Sequence, residues 1–254
     1  MKKFKKLIPA LCMLLISAVL MGTSTYAWFS MNTTVKAEGM QVKAKTTSEF
    51  LQIVAGNSDA SFKDDQAQTT ATAATASATL KPIAVAKAVT TDTLTALDAT
   101  ATVAEIKWAE AFSKDPASST KATNYNEIQS DNLSGYALIN SFMVRMNPKT
   151  GVTESANALK ITNVAVTSTN GTQANDVMKN AVSVLFVCGE NFVLYKNGTY
   201  ITKTDGNTLL DKVTTTGTEI KVYIFFDGED TVTTTNNATA LGTDGYKVEF
   251  SLSI

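Results

Sequence analysis

Strict alternation of apolar and polar residues constrains this chain more than any other feature. Tyr246, Val248, Phe250, Leu252 and Ile254 share one face without a break, the pattern of a half-buried strand. Tyr136, Leu138, Phe142, Val144 and Met146 repeat it, with Asn140 alone interrupting, and the run stops at Asn147-Pro148. Leu159 and Ile161 start another strand. The phase then slips to Val164 and Val166, which predicts a bulge near Thr162-Asn163. Phe192–Lys196 and Thr199–Lys203 flank Asn197-Gly198, a strong hairpin signal. Ala181–Cys188 is apolar on both faces and reads as a central strand, and Ile220–Phe226 reads as another buried strand. Ala174–Asn180 has room for one or two helical turns.

The first half is less regular. Met40, Val42 and Ala44 alternate with Gln41, Lys43 and Lys45, and Phe50–Ala55 is a second short strand. Residues 67–79 are almost entirely Ala and Thr, which favour helix and strand respectively. This tract is expected to be a mobile surface insertion without a packed core of its own. A second Thr/Ala-rich patch spans Thr90–Val103, Ile106-Lys107-Trp108 is apolar strand or turn, and Lys114–Gln129 is polar. The expected fold is all-β: a single jelly-roll-like β-sandwich over residues 28–254, with long loop insertions and at most one or two short helices. A loop-rich insertion falls around residues 57–132.

Residues 1–27 read as a signal peptide. Lys2, Lys3, Lys5 and Lys6 precede an uncharged stretch from Leu7 to Phe29, and Thr25-Tyr26-Ala27 puts small residues at −3 and −1. The alternative is a retained membrane anchor, because the 23 uncharged positions are long enough to span a bilayer. Cys12 lacks a lipobox before it and belongs to the apolar region. Export predicts a secreted protein of the extracellular matrix or bacterial cell surface, touching membrane only through an uncleaved N-terminus. With the last strand running to Ile254, a C-terminal sorting signal is not expected.

Composition removes several classes of function. Cleavage would take Lys plus Arg from 22 to 18 against 23 acids, a net charge of about −5. No basic patch remains to recruit nucleic acid. Histidine is absent, and with it the commonest general base and metal ligand. No phosphate-binding loop or dinucleotide fingerprint occurs. Cys188 is the one cysteine beyond residue 27, so an intramolecular disulfide is excluded there and a buried thiol is expected. Asp227-Gly228-Glu229-Asp230 holds enough acid to attract calcium but is not an EF-hand loop. It reads as a solvated hairpin end. No catalytic, cofactor-binding or metal residues are expected, and the chain is not expected to be an enzyme.

The segment Tyr26-Ala27-Trp28-Phe29-Ser30 after an apolar leader, then Gly39-Met40-Gln41-Val42, and later Val222-Tyr223-Ile224-Phe225-Phe226-Asp227-Gly228-Glu229-Asp230, resembles the camelysin/TasA-like secreted proteins of Gram-positive bacteria. The resemblance covers both ends and, loosely, Tyr136–Phe186. It implies a jelly-roll subunit that self-associates into biofilm-matrix filaments, where the N-terminal segment of one copy completes a sheet of the next. Other matrix proteins and cell-wall components are the further partners it implies. The assembly residues are then Trp28, Phe29, Met31 and Val35, a partly apolar segment that pairing with a sheet edge would bury. The same residues folding back on their own sheet is the competing arrangement. One alternative function is a monomeric surface adhesin or glycan-binding module, with Trp108 and Tyr125 as the loop-adjacent aromatic candidates. Another is a camelysin-like peptidase, which without histidine would need an all-carboxylate metal site.

Overall fold

The computed structural model describes residues 35–46, 50–74, 76–112, 124–168, 177–230, 232–233 and 245–254. The expected signal peptide lies outside them. The described chain is an all-β sandwich, with helical structure confined to short turns such as Lys179–Ala181.

The described residues form three sheets. The first runs in the order β14 (Thr208–Leu210), β10 (Leu159–Ser168), β16 (Tyr246–Ser253), β1 (Val35–Thr46) and β3 (Thr70–Thr72), with β4 (Ala76–Leu80) also paired to β1. The second is wholly antiparallel: β13 (Thr199–Thr202), β12 (Asn191–Lys196), β11 (Val182–Cys188), β15 (Thr218–Phe226), β9 (Leu138–Met146) and β2 (Leu51–Ala55). The third contains β6 (Leu94–Ala96), β5 (Ile83–Val89), β7 (Lys107–Phe112) and β8 (Asn124–Ile128).

The second sheet is the middle layer. Its Phe142, Val144, Val184, Phe186, Val222 and Ile224 share a core with Met40, Val42, Phe250 and Leu252 of the first sheet. Its Leu185, Phe192, Leu194 and Phe225 face the other way, against Ile83, Val85 and Trp108 of the third. Burial on both faces explains why Val184–Cys188 and Val222–Phe226 carry apolar residues without alternation. By contrast, β16 packs one face only, and alternate residues from Tyr246 to Leu252 are buried.

Local signals in the second half act as expected. The β10–β16 register shifts between Ile161 and Asn163, a bulge where the hydrophobic phase slips. Asn197 and Gly198 adopt φ of 43° and 84°, the left-handed pair that lets two residues join twisted strands β12 and β13.

The Ala/Thr tract is not the mobile insertion that its composition suggests. Thr72 pairs with Lys43, Ala71 with Ala44, Ala78 with Ala37 and Leu80 with Val35. One nearly continuous strand therefore runs along an edge of β1, and Ala73 N–H, between β3 and β4, donates to Val42 at 3.0 Å. The tract lacks side chains large enough to advertise a face, but main-chain pairing does not require them. Its Ala71 and Ala73 are buried in the main core. Residues 57–132, which the sequence marks as loop-rich, contain β3 to β8 joined by longer loops.

Candidate functional site

Of the four assembly residues named from sequence, Trp28, Phe29 and Met31 lie outside the described residues. Val35 is the first residue of β1, five positions before the alternation that first reveals the strand at Met40. Between Val35 and Met40, β1 pairs with β4 on one side. Its parallel pairing with β16 starts only at Gln41, opposite Lys247, and ends at Thr46, opposite Leu252. No described strand flanks the other side of Val35–Met40.

Other sheet margins are more occupied. The outer side of β2 is covered by chain, since Ile53 N–H donates to the Gln68 carbonyl at 2.7 Å. Gln52 Nε2 adds bonds to the carbonyls of Lys63 and Gln66. Arg145, the sole arginine in the sequence, holds this loop by bonding Gln52 and Asp64 and by stacking over Phe62. On β10, Asn207 Nδ2 donates to Ile161 O at 3.4 Å and the Tyr200 hydroxyl oxygen accepts from the Val164 backbone.

The acidic turn after β15 is not a solvated hairpin end. Asp227 is only 5% exposed, and its Oδ2 lies 2.7 Å from Lys196 Nζ at the end of β12. Its Oδ1 accepts the Glu229 N–H at 3.1 Å. Asp227 N–H donates to Ala181 O, Gly228 N–H to Ile83 O, and Thr233 Oγ1 to Asp227 O. The turn thus joins the second sheet to the third. A Cβ on Gly228 would meet Ala111 Cβ at 2.8 Å and Ala111 O at 2.9 Å, so glycine permits this approach. Burial raises the Asp227 pKa against the attraction of Lys196. Among the described residues, no three Cys, Asp or Glu side chains converge on a metal position.

Trp108 and Tyr125 are buried strand residues rather than an exposed aromatic platform. Trp108 packs on Tyr223 and Phe225 with ring centroids 5.3 and 5.5 Å away. Tyr125 donates to Glu229 Oε1 at 3.0 Å, and burial, helped by the Glu229 charge, pushes its pKa up to about 12. The Cys188 thiol is buried and unbridged, with its pKa pushed up to about 12 by burial and by Glu219.

Comparison with protein families, with curated proteins and with solved structures finds no match.

Sequence reasoning found Asp227 but not Lys196 or Ser183, which complete its surroundings. The available signal was a lysine closing the apolar run Phe192–Tyr195 and a lone serine inside Val182–Cys188.

Proposed function

We propose that this chain is a secreted structural subunit that builds extracellular or cell-surface fibres by strand addition between copies. The donated segment contains Trp28, Phe29 and Met31 and continues into the sheet at Val35. The supporting observation is that, among the described residues, β1 is paired on one side only over Val35–Met40, the kind of sheet edge to which a strand can be added. Residues 28–34, seven in number, reach roughly 3.3 Å per residue when extended, far enough to lie along a neighbouring sheet. Burying Trp28 and Phe29 there would contribute about 1.5–3 kcal/mol each.

Negative-stain microscopy and light scattering of protein lacking residues 28–34 test this reading. Filaments are expected from the chain that starts at Trp28 and not from the truncated one, which keeps its β circular dichroism. Filaments that persist after truncation refute strand donation. A sharp fall in the melting temperature of a monomer shows instead that the segment completes its own sheet.

A further inference from the structure

The Lys196–Asp227 pair lies between the second and third sheets. Lys196 is directly opposite Ser183 in the β11–β12 ladder, and Ser183 is opposite Phe225 in the β11–β15 ladder. Cross-strand neighbours share a face, so the three lie in one row, on the side where Leu194 and Phe225 meet the third sheet. Asp227 is two positions beyond Phe225 and therefore on that face. Lys196 reaches it diagonally across β11. Ser183 is 1% exposed, and its Oγ has no hydrogen-bond partner. A half-buried amine, a buried acid and an orphaned hydroxyl thus occupy one small polar island in an apolar layer.

We propose that Lys196 and Asp227 condense to an intramolecular amide that covalently ties β12 to β15 across β11. The ionic pair first exchanges a proton, from Lys196 Nζ to the Asp227 carboxylate. This gives the neutral amine and the neutral acid that react, and the poor solvation of Asp227 favours its neutral form. The rise in the Asp227 pKa caused by burial works in the same direction. Nζ then attacks Cγ. The Nζ–Cγ bond forms, the Cγ–Oδ2 bond breaks, and Oδ2 departs as water with its own proton and one from nitrogen. No redox partner is required.

The two carboxyl oxygens already have different surroundings. Oδ2 faces the amine. Oδ1 accepts the Glu229 backbone N–H, a donor placed to stabilise negative charge on that oxygen as the tetrahedral intermediate forms. Glu229 also acts electrostatically on Asp227 and is held by Tyr125. Fixing amine and acid in contact can supply an effective concentration of roughly 10⁵ M or more. In water, condensation is opposed because two well-solvated ions are lost. Here Asp227 has little solvation to lose, and the amide is neutral. The Lys196 side chain is 24% exposed, which gives the released water a way out.

Mass spectrometry of the intact, denatured protein tests the proposal without any variant. After the N-terminus is read by sequencing, the mass is expected to be one water, about 18 Da, below that of the sequence. Trypsin should leave a branched peptide joining the segments around Lys196 and Asp227. Lys196→Arg keeps the positive charge but should restore the full mass. A folded wild-type protein with its full sequence mass, cut by trypsin after Lys196, overturns the proposal and leaves an ordinary partly buried ion pair. So does a mass deficit that survives in Lys196→Arg.

Discussion

Phe250 of β16 meets Phe186 of β11 edge-on, with ring centroids 4.9 Å apart and planes inclined at 68°. This contact joins the first sheet to the second, and Phe142 adds a further edge-to-face contact with Phe250 at 5.4 Å. Such pairs contribute beyond the area they bury. Phe250→Ala should therefore destabilise the fold by about 3–5 kcal/mol. Urea denaturation measures it; a loss under about 1 kcal/mol would mean that the two sheets do not depend on this contact.

Cys188 should resist thiol reagents in the native protein at neutral pH, since burial holds its pKa near 12 and little thiolate forms. Labelling should become complete on unfolding. Cys188→Ala should cost about 1 kcal/mol through lost packing. Fast labelling of folded protein, or a dimer on non-reducing gels that the mutation removes, would contradict a buried structural thiol.

Deleting residues 70–79 should lower the melting temperature by roughly 5 °C or more, because the segment pairs with β1 from Val35 to Lys45. Composition alone led to the opposite expectation for this tract. A deletion that melts with the parent would show that the edge contributes nothing.

Tyr125 makes stability fall at high pH. Its pKa lies above the ordinary value of 10.0 in the folded chain, at about 12. The unfolded chain therefore loses this proton first. The contribution is fully present below pH 10 and is lost as pH rises through 12. Melting curves at several alkaline pH values should fall less steeply for Tyr125→Phe than for the parent. Parallel curves would show that the phenol is not shielded by burial and Glu229.

Sequence alternation revealed those parts of the fold in which a strand has one wet face. Hence β9 and β16 were legible, as were the β10 bulge and the Asn197-Gly198 turn. The small strands β3 to β6 and β8 were not, and of β7 only the start, Lys107-Trp108, was read as strand or turn. Ala84, Ala86, Ala109 and Ala111 fill their close-packed positions, and alanine signals no face. The chemistry around Asp227 was half legible for a related reason. Its acid turn stands out in the sequence, whereas Lys196 is 31 positions earlier and becomes its partner only through the β12–β11–β15 order. The segment proposed for assembly was read from its aromatic residues; Trp28, Phe29 and Met31 lie outside the described residues, and Val35 begins β1.

The parallel pairing of β1 with β16 has a temporal consequence. Residues 41–46 have as neighbours residues 247–252, about two hundred positions later in synthesis. β16 is also the strand that separates β1 from β10. During translation the first sheet therefore lacks a central member until residues 246–253 are made, and loops this long close slowly. A chain that has not yet reached residue 246 has its first sheet split between β1 and β10, and the two halves join only when β16 enters between them.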